Sequence, residues 1–367
     1  MKLVADRRAL HAALQHVGSV ITSTVARPIY QNVKLEASDD GLFLSATDLE
    51  VGLRVSVSGV EIQEKGAVLL PQGRIASIVG ATPDETVGVA GDESAVTISS
   101  SDGVFRILAE SPQDFADVPE LSDDGAIEMD PEVLHYMVRR TAFAVADARG
   151  RYALNGILLV VDEQGNVEMA ATDGARLANV RKKVANAAKK TIDCIVMKKG
   201  LEQASRMAAH GEDPVRIQVT DTQFLAESKN GRLCCQLVEG QFPNFREVLP
   251  RSSTIKVELP TKPLLSALTR ASFMASEQSR AVDFALADGL LTLTSQSPDV
   301  GEAEIRIAVD YKGDAVSVAF NPTYIEEMLK IVERESVKFE FTDPRSPCLF
   351  KSGTDYQYVV SPVVREE

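Results

Sequence analysis

The sequence predicts an α+β chain made of three copies of one domain, each with antiparallel sheets plus two helices. Three observations carry this reading. A strand-turn-strand segment recurs as "LFLSATDLEVGLRVSV" from Leu42, "VEMAATDGARLANVRKKV" from Val167 and "LTLTSQSPDVGEAEIRIAV" from Leu291, each alternating apolar and polar residues on both sides of a polar turn. The starts lie 125 and 124 residues apart, a whole-domain period rather than a solenoid one. Two further elements repeat in the same register, which a single chance hairpin would not produce.

Each third opens with an amphipathic helix. Leu10, Leu14 and Val17 share a face in "DRRALHAALQHV", as do Leu134, Met137, Val138 and Thr141 in "DPEVLHYMVRRTAFAV", and Leu264, Leu265 and Leu268 in "TKPLLSALTRA". Asp6, Asp130 and Thr261 stand where N-caps are expected, just before their helices. After the hairpin comes an apolar strand running into a second helix: "GAVLLPQGRIASIVG", "TIDCIVMKKGLEQASRMA" and "AVSVAFNPTYIEEMLKIV". Closing hairpins follow, with Ser-Asp-Gly and Lys-Asn-Gly as turn residues in "AVTISSSDGVFRILAE" and "FLAESKNGRLCCQLVEG". The expected domains are 1–125, 126–252 and 253–367.

Composition limits the function classes. With 367 residues, 44% hydrophobic and 25% charged, the chain can build several cores. No run of about eighteen apolar residues occurs, and "MKLVADRRAL" lacks the apolar centre of a signal peptide, so no membrane partner and a cytoplasmic location are expected. Cys194, Cys234, Cys235 and Cys348 make no C-x-x-C pair, and His11, His16, His135 and His210 make no H-x-x-x-H or H-E-x-x-H arrangement. They read as packing thiols and isolated imidazoles; neither a metal site nor a cofactor is expected.

The net charge of −14 opposes a protein that coats nucleic acid by overall attraction. The distribution qualifies this, since residues 1–125 carry −10, 126–250 carry +1 and 251–367 carry −5. Thr172, Asp173 and Gly174 could suggest a phosphoryl or nucleotidyl transferase loop. The chain has no G-x-x-x-x-G-K-[ST] motif, and Asp48 and Asp173 occupy equivalent turns of different repeats, so they do not form a metal-holding carboxylate pair. No catalytic residue is assigned.

Several ordered motifs together resemble the bacterial DNA polymerase III beta subunit family, the replicative sliding clamps. They are "SATDLE" in the first third, "LNGILL", "ATDGARLA" and "EGQFPNFREVLP" in the second, and "FNPTYIEEML", "DPRSP" and "YVVSPV" in the third. The resemblance runs from Met1 to the tail and implies the DNA-clamp fold: a head-to-tail homodimer ring of clamp domains, its helices lining a pore threaded by double-stranded DNA. It also implies non-sequence-specific topological DNA binding and a non-enzymatic role, the chain serving as processivity subunit of the polymerase.

On that resemblance, basic residues of the repeated helices face DNA: Arg7, Arg8, Arg74, Arg139, Arg140, Lys198, Lys199, Arg206, Arg270 and Lys330. The loop with Arg149, Arg151 and Tyr152 reaches DNA near a ring face. Phe105, Ile107 and Leu108 on one end would meet Phe273 and Met274 of the other copy. Partner proteins would insert an apolar-anchored peptide into a groove formed by Leu154, Thr172, Gly174, Ala175, Arg176, Leu177, Pro243, Glu247, Val248, Tyr324, Ser346, Val360, Ser361, Pro362 and Val363. The implied partners are the DNA polymerase III catalytic subunit, an ATP-dependent clamp loader and other clamp-binding-motif proteins of replication and repair. The chain departs from the family's pattern at Ala175, commonly histidine, near Thr24, commonly basic, and in the acidic tail "VREE", leaving room for a clamp-like paralogue. Arg176→Glu is expected to weaken peptide binding and leave the ring assembled.

Overall fold

The computed structural model describes residues 1–22, 27–122, 125–146, 152–185, 189–209, 213–250, 252–275 and 281–364. The first repeat contains β1 (Lys2–Asp6), α1 (Arg7–Gly18), β2 (Asn32–Ser38), β3 (Gly41–Thr47), β4 (Val51–Val57), β5 (Val60–Glu64), β6 (Gly66–Pro71), α2 (Gln72–Ala81), β7 (Thr86–Gly91), β8 (Ala95–Ser99) and β9 (Val104–Leu108). The second contains β10 (Ile127–Met129), α3 (Pro131–Thr141), β11 (Gly156–Val161), β12 (Asn166–Thr172), β13 (Arg176–Lys183), β14 (Ile192–Met197), α4 (Lys198–Ala208), β15 (Val215–Val219), β16 (Gln223–Ser228) and β17 (Gly231–Gln236). The third contains β18 (Ile255–Pro260), α5 (Thr261–Ser272), β19 (Val282–Ala287), β20 (Leu290–Ser297), β21 (Gly301–Ala308), β22 (Val316–Phe320), α6 (Pro322–Ile331), β23 (Ser336–Phe341), β24 (Cys348–Ser352) and β25 (Tyr356–Val360). The predicted hairpins and helices are all present, and all strand pairings are antiparallel.

The sheets cut across the repeats. One compact unit comprises Met1–His135, Val184–Lys190 and Lys199–Leu237; the other comprises Tyr136–Lys183, Thr191–Lys198 and Val238–Glu367. The first holds a five-stranded sheet, β5-β1-β7-β8-β9, and an eight-stranded sheet, β10-β15-β16-β17-β4-β3-β2-β6. The second holds an eight-stranded sheet, β14-β11-β12-β13-β25-β24-β23-β18, and a four-stranded sheet, β21-β20-β19-β22. In each eight-stranded sheet the last strand of one repeat is added to the repeat before it: β17 pairs with β4, and β25 pairs with β13. An unpaired strand edge leaves a row of unsatisfied N–H and C=O groups, and strand addition satisfies them.

The helical faces are buried as their periodicity requires. Leu10, Leu14 and Val17, then Leu134, Met137 and Val138, then Leu264 and Leu268 lie in the core. In the third repeat Phe284, Phe320, Phe339 and Phe350 form a ring cluster with centroid separations of 4.7 to 6.4 Å. Burying each such ring contributes about 2–3 kcal/mol. Asp6 caps α1 by accepting from the Ala9 amide at 2.8 Å, and Asp130 accepts from Glu132 N at 2.7 Å. Thr261 differs from the expectation: it is the first residue of α5, buried, with Pro260 at the cap. Its amide donates to Glu335 O at 2.8 Å as that of Arg7, the first residue of α1, donates to Glu85 O at 2.8 Å, so Thr261 matches Arg7 and Pro260 holds the place that Asp6 fills in the first repeat.

Candidate functional site

The loop between β12 and β13 is an aspartate-ordered turn. Asp173 Oδ1 accepts from the amides of Ala175 at 2.9 Å and Arg176 at 3.0 Å. Thr172 Oγ1 accepts from Gly174 N at 3.1 Å and donates to Arg176 O at 2.6 Å. Gly174 takes φ +95° with open space around it, so its need for glycine is conformational, not steric. Short polar side chains that bond the backbone two or three residues on are what build such turns.

Arg176 turns away from solvent, its side chain 9% exposed. Nε donates to Asp173 Oδ2 at 2.9 Å, Nη1 donates to Glu327 Oε2 on α6, and Nη2 donates to Phe143 O at 2.8 Å. The guanidinium lies 4.5 Å from the Tyr324 ring centre, and the Tyr358 hydroxyl donates to Tyr324 O at 2.8 Å. Glu327 and the Phe143 carbonyl are partners that no local sequence signal announces.

Two segments border this loop. The tail is tied down by Ser361 N donating to Ala175 O at 2.9 Å and Val363 N donating to Ala319 O at 2.8 Å. The connector after β17 is anchored by Phe245, which packs with Leu158, Ala170, Leu177, Ile195, Leu349 and Val359. Arg246 reinforces it by donating to the largely buried Glu168, which also accepts from Asn179 at 2.9 Å and Arg181 at 2.7 Å. The connector's Pro243, Glu247 and Val248 stay exposed, Val248 at 48%. Among the expected groove residues, Thr172, Leu177 and Val360 are buried and can only form a floor. Gly174 and Ser361 are exposed, and Leu154, Ala175, Tyr324, Ser346, Pro362 and Val363 are half-buried. All of them belong to one unit.

The basic residues separate into two groups. Arg8, Arg74, Arg139, Arg206, Arg270 and Lys330 are exposed, with Arg139 3.2 Å from Glu333 and Lys330 3.3 Å from Glu326. Arg7 and Lys198 are half-buried. Lys199 is committed internally, donating to Asp48 Oδ2 at 2.7 Å and to Val20 O. Arg140 is only 4% exposed, its guanidinium 3.5 Å from the Tyr136 ring centre, which removes it from any solvent-facing surface. The helix periodicity places Arg140 beside the buried Met137 stripe, so its burial follows from that face. Arg149 and Arg151 lie outside the described residues, as do Thr24 and the last two glutamates; Tyr152 opens a short 3-10 turn over Tyr152–Leu154.

At the free edge strand β9, Phe105 and Leu108 are 46% and 72% exposed, and Phe273 after α5 is 68% exposed, with Met274 half-buried. Ile107 shares a face with Phe105 and points opposite to Leu108, because side chains alternate along a strand; it is 6% exposed, a core residue of its own sheet. A cavity of about 870 Å³ lies beside β9, lined by Arg74, Ser77 and Ile78 of α2 together with Phe105 and Leu108.

Among the described residues no group of His, Cys, Asp or Glu is arranged to hold a metal ion, and no helix is long and apolar enough to cross a membrane. The four cysteines are thiols outside any disulfide; burial pushes the Cys194 and Cys348 thiols up to about 12 and Cys234 to about 11, as for packing residues.

Comparison with known proteins places this geometry. Family models of the DNA polymerase III beta subunit match in sequence order: the N-terminal domain over residues 1–121, the central domain over 128–244 and the C-terminal domain over 246–363. The beta sliding clamp of Chlamydia muridarum is 30% identical over 364 residues, spanning 99% of both chains. That of Caulobacter vibrioides is 30% identical over 374 residues, spanning 99% of this chain and 100% of its own. Among solved structures, the DNA polymerase sliding clamp from Bacillus subtilis superposes with TM-score 0.91 at 25% identity, and the DNA polymerase III beta subunit from Thermotoga maritima with 0.90 at 26%, each covering 100% of both chains. With three consecutive domain matches and full-length relatives, the chain belongs to the DNA polymerase III beta subunit family, the beta sliding clamps.

Proposed function

We propose that the chain is a non-enzymatic sliding clamp of the cytoplasm, two copies closing head to tail into a ring around duplex DNA. The ring tethers the DNA polymerase III catalytic subunit and other replication and repair proteins through the groove, and an ATP-dependent loader opens it.

The observation that carries the ring is the rule by which the repeats join. Counting outward through the paired strands of each repeat makes Gly52, Leu177 and Glu302 equivalent. The same count through the closing hairpins makes Arg106, Cys234 and Val359 equivalent. Both internal joints pair these positions, Cys234 with Gly52 and Val359 with Leu177. The two members left over, β9 and β21, are free sheet edges of one chain. Applied once more between two copies, the rule sets Arg106 opposite Glu302 and Phe105 opposite Ala303, an opposite-charge cross-strand pair. Copies joined this way make a head-to-tail assembly, which is a ring where the rotation closes.

The exposed arginines of the repeated helices supply attraction without base reading, which suits sliding, while linkage around the duplex supplies persistence. Arg106→Glu is expected to give monomers in solution-scattering mass measurements, and Arg106→Glu with Glu302→Arg is expected to restore the dimer; a double variant that stays monomeric overturns the register. Loaded on a circular plasmid, the wild-type ring should run off after linearisation. Equal retention on linear and circular DNA overturns the clamp reading.

A further inference from the structure

We propose that Arg176 is a positioning residue: through Glu327 and Asp173 it fixes the loop and helix that border the peptide groove, and it does not itself bind the peptide. The proposal rests on the groove reading above. A guanidinium offers five N–H donors in a rigid fork. Here each nitrogen already has a protein acceptor: the turn aspartate, a helix carboxylate and the carbonyl of Phe143. One face is against Tyr324, and only 9% of the side chain is exposed. A peptide carbonyl would meet only the small exposed remainder of a guanidinium whose every nitrogen is already engaged.

The connections run from this side chain to the groove's borders. Asp173 Oδ1 orders the Ala175 and Arg176 amides while Oδ2 receives Arg176 Nε, so the turn and the guanidinium brace one another. Ala175 O in that turn receives the amide of Ser361 and so sets the course of the tail. Glu327 lies on the helix that carries Tyr324, and its side chain is 37% exposed, away from the tail's anchoring bonds. Releasing Glu327 therefore loosens loop, tail and Tyr324 together without deleting any group from the groove surface.

The two roles predict opposite signs for one substitution. The test uses the full-length dimer and a fluorescently labelled peptide from the cognate polymerase catalytic subunit, with anisotropy for affinity, amide exchange for residues 172–176 and thermal melting in parallel. Val248→Asp, on the exposed connector wall, is expected to abolish binding; unchanged binding overturns the groove reading itself. Glu327→Gln is expected to weaken the peptide about five- to tenfold, the scale of one hydrogen bond reduced from charged to neutral, and to speed exchange across the loop. Arg176→Lys should fall further, because the donors of a single ammonium nitrogen cannot span acceptors set around three separate nitrogens of a planar fork. If Arg176 contacts the peptide directly, Glu327→Gln leaves affinity unchanged or tightens it by freeing the guanidinium, and the proposal is overturned. A lowered melting temperature with unchanged affinity and loop exchange overturns it equally, since that is what a purely structural ion pair would give.

Discussion

The loop Thr47–Val51 in the first unit and the loop Thr172–Arg176 in the second are the same turn put to different ends. Asp48 Oδ1 accepts from Glu50 N at 3.0 Å and Val51 N at 2.8 Å, and Leu49 N donates to Thr47 Oγ1 at 2.9 Å, matching the three backbone-amide bonds of the later copy. The second carboxylate oxygen differs: Lys199 of α4 reaches Asp48, whereas Asp173 is met by Arg176 from its own loop. Leu49 adopts φ +75° where Gly174 sits at φ +95°. The connectors differ most. Val118 packs with Leu225 and Cys234 and lies 3.3 Å from where a Cβ on Gly52 would stand, while Val248 is 48% exposed. Both connectors cover the strand junction, one with Val118 against Leu225, Cys234 and Gly52, the other with Phe245 against Leu349, Val359 and Leu177, and the second leaves its Val248 exposed beside it. A repeated scaffold can present an exposed apolar side chain by seating a different residue of its connector, and the frame itself need not change.

The contrast can be broken most severely at Arg176. Arg176→Glu places a third carboxylate beside Asp173 and Glu327 and removes the only described cation bonded to both, at a cost of about 3–5 kcal/mol. Chemical denaturation should show that loss together with lost peptide binding, in place of the binding defect alone that the sequence suggested. A pair of equivalent truncations comes next. Val118→Ala is expected to cost about 2 kcal/mol by opening a cavity, with peptide affinity unchanged; Val248→Ala should stay within about 0.5 kcal/mol and weaken the peptide. Equal stability losses at both sites would erase the distinction between the seated and the exposed valine. The smallest effect is at the turn tip, where Leu49→Gly relieves positive-φ strain and should stabilise by less than about 1 kcal/mol, while Gly174→Leu should destabilise by about 1–2 kcal/mol without any clash, both read from urea midpoints.

Much of the fold was legible because it is written locally. Alternation marked the hairpins, the spacing of Leu10, Leu14 and Val17 marked a helix, and Asp6 marked its start. Thr261 misled because the cap position of the third helix is held by Pro260, which has no side-chain acceptor, and the nearest capping residue type stands one place inside the helix. The cation assignments were the least legible part. Lys199 and Arg206 look alike in sequence, yet one bonds Asp48, distant in the chain, and the other is exposed. Arg140 and Arg139 are neighbours on one helix, and only the direction of the core decides that the first is buried.

By itself, therefore, the sequence determined the repeat, its hairpins and helices, and the turn built by Asp173, because periodicity and side-chain-to-backbone bonds act within a few residues. The tertiary structure alone decided that β25 joins β13 and β17 joins β4, that Arg176 serves Glu327, and that one connector seats Val118 while its equivalent seats Phe245 and exposes Val248. Strand addition, ion-pair choice and burial depend on which distant surfaces meet, and no local pattern encodes the partner's address.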